Sequence, residues 1–333
     1  MRETEEADLL AKAFSGIQPT GEIHLGNYIG ALRNWKPEQG SYYCVVDLHS
    51  LTMPWDAREM QQSIRSTAAH LLALGLGESS DVFVQSQVPE HAELSWILTC
   101  IGRMGELGRM TQFKAKGRGR QDVSVGLFAY PLLMAADILL YRVQEVPVGE
   151  DQKQHVELTR DLALRFNSRY GPVFTVPEPR ISEVGARVMS LRNPQEKMSK
   201  SDPDPNGKIL VTDAPDAIRK KIMTAVTDSG REVYYDRDEK PGVSNLLEIA
   251  STLSGEGIEE FAQRYRTQGY GAFKGAVADV VVESLKPLRE RVAELLANPS
   301  EIDDALARGR EHAHSEAKPF LDSVKRAVGL LVP

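Results

Sequence analysis

Two short polar segments of this 333-residue chain carry side chains suited to handling phosphate. His24-Leu25-Gly26-Asn27 offers an imidazole and a carboxamide, both able to donate hydrogen bonds to oxygens on which negative charge develops. Gly26 lacks the Cβ that would keep a base or ribose away from the backbone. Past the middle of the chain, Lys197-Met198-Ser199-Lys200-Ser201 sets two ammonium groups three residues apart among small hydroxyls, which suits wrapping a triphosphate. Taken alone, the first segment also reads as a glycine-rich turn with a surface histidine, and the second as a solvated basic turn. The familiar phosphate loops are missing from the sequence. No G-x-G-x-x-G follows a strand pattern, and the Gly207-Lys208 pair is followed by Ile209, so dehydrogenase and P-loop readings fall together.

Something must hold these segments in place. Ala13 to Ile17 reads as a strand, Gln18-Pro19-Thr20-Gly21 as turn chemistry, and Gly26 to Trp35 as a helix. Tyr42 to Leu48 is a near-continuous apolar run, expected of a strand buried on both faces. Asp56 is a natural N-cap for an amphipathic helix reaching about Leu76. Asp81–Val84 and Val146–Val148 read as further strands, with a helix from Asp151 to Tyr170. His91 to Tyr141 reads mostly as helix, broken by a basic, glycine-containing loop, Lys114 to Arg120, expected to be mobile. Gly171 to Pro179 is rich in turns. This alternation predicts an α/β fold, a doubly wound parallel sheet with helices on its faces. The first segment then lies at a strand-to-helix junction, where such sheets bind ligands. From about Thr212 the pattern is purely helical. We therefore expect a Rossmann-like catalytic domain over 1–211, with a helical insertion near 85–140 and the lysine loop at 197–201, and an all-helical domain over 212–333.

Composition narrows the possibilities. Formal net charge is −7, so any contact with nucleic acid must use a local basic surface. Arg219-Lys220-Lys221 and the Arg264–Arg266 stretch are candidates, though a solvated helix face explains each equally well. Two cysteines, Cys44 and Cys100, lie outside any Cys/His cluster, which argues against structural zinc or an iron–sulfur cluster. No apolar run approaches a membrane span, and the acidic start gives no secretory signal, so a cytoplasmic protein without membrane association is expected.

H-x-G-N near the N-terminus with K-M-S-K-S past the middle resembles the class I aminoacyl-tRNA synthetases. Further segments, namely Ser15–Thr20, Gly105–Phe113, Pro131–Tyr141, Val146–Leu162 and Thr224–Ser229, resemble the bacterial tryptophanyl-tRNA synthetases among them. The similarity runs from Phe14 to the last helices, and Asn27 in place of the second histidine of the broader pattern is usual in that family. The resemblance implies ATP-dependent activation of L-tryptophan, transfer to tRNA(Trp), and a homodimer; the apolar helical stretch Trp96–Arg109 is the expected interface. It implies ATP contacts from Gln18, Pro19, Thr20, Gly26, Asn27, Gly149, Glu150, Asp151, Val188, Lys197, Met198, Ser199, Lys200 and Ser201. His24, Asn27, Lys116, Lys197 and Lys200 carry catalysis in this reading, Lys116 being favoured over Lys114. Mg²⁺ arrives on the ATP phosphates, and no metal is held by side chains of the chain itself.

Tyrosine enzymes share the architecture, so the amino acid must be argued. Indole has one N–H donor and no acceptor. The run Tyr130 to Asp137 offers aromatic and aliphatic groups with one acid, Asp137 lying three residues after Met134 on the same helix face. The resemblance makes Asp137 the acceptor of the indole N–H, with Tyr130 and Met134 beside it and Gln152 at the amino group. Asp137 also has a plainer reading as a buried ion pair or cap, as Glu150 and Asp151 do as helix caps. His49, placed at the end of the Tyr42–Leu48 run, is structural or pocket-facing with equal weight. A tyrosine-specific enzyme, a nucleotidylyltransferase of related fold and a non-catalytic binding paralogue are the alternatives.

Overall fold

The computed structural model describes residues 13–19, 22–117, 123–149, 152–181, 187–200 and 202–332, the side chains of 115–117 and 181 excepted. In chain order the elements are β1 (Phe14–Ile17), α1 (Leu25–Gly30), β2 (Tyr42–Val45), α2 (Asp47–Ser50), α3 (Ala57–Ala73), α4 (Leu76–Ser79), β3 (Asp81–Val84), α5 (Glu90–Ile101), α6 (Met104–Leu107), α7 (Thr111–Gly117) and α8 (Val125–Leu140). There follow β4 (Glu145–Val148), α9 (Lys153–Tyr170), β5 (Glu178–Ile181), α10 (Pro215–Met223), α11 (Pro241–Ser254), α12 (Ile258–Tyr265), α13 (Gly269–Ala297) and α14 (Pro299–Ala327).

The chain forms two compact units. The first comprises Met1–Thr20, Pro37–Glu183 and Asn298–Pro333. Within it β1, β2 and β3 pair in parallel in that order, with Gly16 opposite Cys44 and Cys44 opposite Phe83. A second parallel pair, β4 with β5, lies with β4 against β1. The spatial order 3-2-1-4-5 is the doubly wound, Rossmann-like arrangement expected, with its switch point between β1 and β4. All four β2 residues are buried, as its apolar run requires. Asp56 caps α3 as expected, accepting from Arg58 N–H at 2.8 Å. Phe14, Tyr42, Phe83, Tyr141, Phe166 and Phe174 share one core with Ala313, Ala317 and Phe320 of α14.

The second unit comprises Gly21–Lys36 and Val184–Ala297. Helices α10 and α11 pack on α13, and α12 on α11, burying Ile218, Val243, Leu247, Phe273 and Val277. Ile23–Leu25 pairs with Ile209–Val211: Leu25 N–H donates to Ile209 O at 2.8 Å and Val211 N–H to Ile23 O at 2.9 Å.

These boundaries differ from the expected break at 211/212, and the reason is packing. The last helix does not join the helical group before it. Its apolar stripe enters the core of the first unit, and Gly309 lets its backbone close on β3, where a Cβ would stand 2.2 Å from Val82 O. The lysine loop and α1 belong with α10–α13. Three local expectations also change. The Tyr42 run ends as a strand at Val45, because Asp47 starts a helical turn. The Gly26–Trp35 helix is α1 followed by a separate 3₁₀ turn at Leu32–Asn34. Lys114, expected in a loop, lies in α7, and β5 falls partly within the stretch read as turns.

Candidate active site

In the second unit His24 is a buried N-cap rather than a surface side chain, at 3% exposure. Its Nδ1 accepts the Asn27 N–H at 3.2 Å, while Asn27 Oδ1 accepts the His24 N–H at 3.4 Å, a reciprocal capping box. Because Nδ1 accepts, the ring proton resides on Nε2. Burial, with Lys200, Lys197 and Lys208 adding repulsion, lowers the His24 pKa to about 4. The side chain is therefore a neutral Nε2–H donor at physiological pH. Gly26 has a reason beyond ligand access: a Cβ there would meet the His24 ring at 3.0 Å and Met198 Cβ at 3.5 Å. Met198 is thus the buried anchor of the lysine loop beneath α1.

The loop rises from a short antiparallel stem. Met198 N–H donates to Val188 O at 3.0 Å and Ser190 N–H to Glu196 O at 2.8 Å, which explains the burial of Val188. Asp202 accepts from Ser190 Oγ at 2.7 Å, a contact that requires glycine at 207. The Lys197 side chain is exposed, whereas burial lowers the pKa of half-buried Lys200. Ser199 is half-buried beside it. Hence His24, Gly26, Asn27, Val188, Lys197, Met198, Ser199 and Lys200 belong to one unit despite their separation in sequence.

In the first unit the constellation centres on Asp137 of α8, 2% exposed. Its Oδ2 meets His49 Nε2 at 2.8 Å; its Oδ1 meets His91 Nδ1 at 2.7 Å and accepts from Gln85 Nε2 at 2.7 Å. Burial by itself would raise this carboxyl. The hydrogen bonds and charges of His49 and His91 outweigh it and hold Asp137 well below the usual carboxylate range. Gln85 Oε1 accepts from Leu48 N–H at 3.2 Å, which fixes the amide's orientation. Asp47 accepts from both Leu48 N–H and Ser86 N–H at 3.0 Å, tying α2 to the segment after β3 and so placing His49. Behind His91, Tyr141 OH lies 2.9 Å from Nε2.

Tyr130 and Met134 share the face of α8 that carries Asp137, and both are half-buried. The Tyr130 hydroxyl bonds His155 Nε2 in the first turn of α9, whose N-cap is Gln152, and its ring stands edge-on to His49 at 6.2 Å. Burial pushes the Tyr130 hydroxyl up to about 12, so it remains a neutral hydrogen-bonding group. The structure thus brings together His49, Tyr130 and Asp137, with Met134 on the same face of α8 and Gln152 at the N-cap of the helix that carries His155. Gln18 and Pro19 follow β1, and Gly149 follows β4, at the carboxyl ends of the strands flanking the switch point. Thr20, Glu150, Asp151 and Ser201 lie outside the described residues, as does the side chain of Lys116. His91, Gln85 and Tyr141 were not singled out from sequence. A polar residue just after a strand was the available signal for Gln85; His91 and Tyr141 had none, since their roles arise from α5 packing on α8.

The basic groups proposed for nucleic acid are largely engaged within the unit. Arg219 pairs with Asp279, Lys221 with Asp213 at 2.6 Å, Arg264 with Glu256, and Arg266 with Glu232 at 2.7 Å. Among the described residues no helix is long and apolar enough to cross a membrane.

The parallel sheet and buried Asp137 of the first unit, and the histidine cap and lysine loop of the second, are each accounted for by one family. Residues 9–286 match the tRNA synthetases class I (W and Y), and the chain belongs to that family. A tryptophan–tRNA ligase of Bacillus anthracis is 51% identical over 321 residues, covering 95% of this chain and 97% of that one. One from Bacillus subtilis is 50% identical over 321 residues, with the same coverage of 95% and 97%. The crystal structure of the tryptophanyl-tRNA synthetase of Campylobacter jejuni complexed with ADP and tryptophan superimposes with a TM-score of 0.84 at 35% identity, over 96% of this chain and 100% of that one.

Proposed function

We propose that the chain is a tryptophan–tRNA ligase, activating L-tryptophan with ATP and transferring it to tRNA(Trp). The observation that carries the choice of amino acid is the Asp137 carboxylate, buried yet ionised. A carboxylate offers about four lone-pair sites. Three are taken by His49, His91 and Gln85, leaving one on Oδ2 for a single donor such as an indole N–H. A ligand without that donor leaves a buried charge under-satisfied, which is a strong basis for rejection. Tyr130 and Met134 supply the apolar wall, and Gln152 the group for the amino end.

The substrate carboxylate is already ionised at neutral pH, so the first step needs no general base. It attacks the α-phosphorus of ATP; a carboxyl–phosphate bond forms as the bond to the β-phosphate breaks, and pyrophosphate leaves. Lys197, Lys200 and Lys116, with the Mg²⁺ that ATP carries, neutralise the leaving group, and the neutral His24 Nε2–H and Asn27 donate to phosphate oxygens. Gln18, Pro19, Thr20, Gly149, Glu150, Asp151, Val188, Met198, Ser199 and Ser201 complete the nucleotide contacts. The terminal ribose hydroxyl of tRNA then attacks the activated carbonyl, and AMP departs. Helices α10–α13 are the proposed tRNA-contacting region. Exposed Trp96 and Met104 mark the proposed homodimer face. The protein is proposed to work in the cytoplasm.

ATP–pyrophosphate exchange with each amino acid tested separately decides this reading. Exchange with tryptophan is expected. Exchange with tyrosine instead overturns the specificity, and exchange with none overturns the enzymatic assignment.

A further inference from the structure

The stem of the lysine loop has an unusual attachment. Met189 faces Lys197 across an antiparallel bridge. The flanking hydrogen bonds, Met198 to Val188 and Ser190 to Glu196, belong to the neighbours on either side. Met189 and Lys197 are therefore a non-hydrogen-bonded pair, and the N–H and C=O of Met189 point away from Lys197. In a sheet a third strand would take them. Here a helix side chain does: Met189 N–H donates to Asn245 Oδ1 at 2.8 Å, and Asn245 Nδ2 donates to Met189 O at 3.1 Å. One amide satisfies both groups, and the opposite polarity of its two partners fixes its orientation.

Asn245 sits in α11 at 3% exposure, between Ser244 and Leu246, both buried. Asparagine is a mediocre helix former, and α11 gains nothing from it locally. Other contacts hold the stem nearby: Val226 N–H donates to Leu191 O at 2.8 Å, and Ser190 Oγ to Asp202. Asn245 is attached directly opposite Lys197.

We infer that Asn245 is a positioning residue for amino-acid activation: acting through Met189, it ties the helical layer to the strand that carries Lys197 and Lys200, and so sets where those ammonium groups meet phosphate. This rests on the reading of the lysine loop as the ATP phosphate site. Helix α11 thereby becomes the element whose displacement moves the loop. Removal of the amide frees the Met189 edge and lets the stem shift while the fold of α11 remains.

The test uses the full chain with Asn245→Ala and the isosteric Asn245→Asp, which keeps the acceptor for Met189 N–H but turns an oxygen toward Met189 O. Tryptophan-dependent pyrophosphate exchange is measured with ATP and tryptophan varied separately, at a temperature where circular dichroism finds the variants folded. A misplacement near 1 Å costs on the order of 10²-fold, so kcat/KM for ATP is expected to fall about 10- to 100-fold while KM for tryptophan stays within about twofold. In a Lys197→Ala background the same substitution is expected to add less than about threefold, because both changes remove one device. A merely structural role lowers the unfolding midpoint and leaves ATP kinetics unchanged; that result, or a kinetic loss that multiplies fully with that of Lys197→Ala, overturns the inference. Where Asn245→Ala does not fold, Asn245→Asp carries the comparison. Absence of exchange in the unsubstituted protein counts against the functional reading instead.

Discussion

His24 Nδ1 accepts the backbone N–H of Asn27 at 3.2 Å, so one histidine both caps a helix and is left with its proton on the other nitrogen. The two roles separate on substitution. Asparagine is as good an N-cap as any residue, but it cannot present the Nε2–H. His24→Asn is expected to keep stability within about 0.5 kcal/mol, while His24→Ala loses about 1 kcal/mol with the cap. Both should reduce tryptophan-dependent pyrophosphate exchange by about 10²- to 10³-fold, the usual effect of losing one donor to developing charge. Urea unfolding and exchange kinetics on the two variants measure the two effects independently.

The buried imidazole also has a pH signature. His24 titrates at about 4 in the folded chain against 6.5 for the free side chain. Between these values the unfolded chain binds a proton that the folded chain does not, so the His24 contribution to stability is complete above about pH 6.5 and is lost as pH falls toward about 4. Unfolding midpoints at pH 5 and pH 7 should therefore differ more for the unsubstituted protein than for His24→Asn, in which every other titrating group is unchanged. Equal differences would mean that the histidine is already charged when folded.

The Asp137 network predicts graded effects. Asp137→Asn removes the charge that His49 and His91 face and substitutes an amide donor on one side. A hydrogen bond to a charged group contributes about 1.5–3 kcal/mol, so kcat/KM for tryptophan should fall at least tenfold with KM for ATP little changed. Tyr141→Phe reaches the same carboxylate only through His91 Nε2. It leaves that nitrogen without its hydroxyl partner and should destabilise by about 1–3 kcal/mol, while kcat/KM for tryptophan falls less than tenfold. Steady-state exchange with thermal unfolding ranks the two.

Gly309→Ala tests the allocation of the last helix. The added methyl would stand 2.2 Å from Val82 O and 2.8 Å from Val82 C, backbone atoms that cannot turn aside. Helix α14 must then shift from β3 at a cost of about 1–3 kcal/mol, typical of overpacking, despite the better helix propensity of alanine. Differential scanning calorimetry should record a midpoint lowered by several degrees. An unchanged or raised midpoint would show that α14 does not rest on that sheet.

The sequence by itself determined most of what is local. The apolar run at Tyr42, the cap at Asp56 and the Asp81–Val84 strand are written in adjacent residues, and they yielded β2, α3 and β3 with small changes at the ends. The lysine and histidine segments stood out because their chemistry is compressed into a few neighbouring positions, and Asp137 as the one acid of its run, on the helix face of Met134, with its role implied by the family resemblance. What only the tertiary structure decided concerns partners distant in the chain. His91, Gln85 and Tyr141 converge on Asp137 because α5 packs on α8, and Asn245 meets Met189 because α11 lies beside the loop stem. His24 became a buried neutral donor because Ile23–Leu25 pairs with Ile209–Val211. The last helix looked like its helical predecessors, for periodicity reveals an apolar face but not the surface that covers it; Gly309 and the close approach to Val82 assigned it to the sheet.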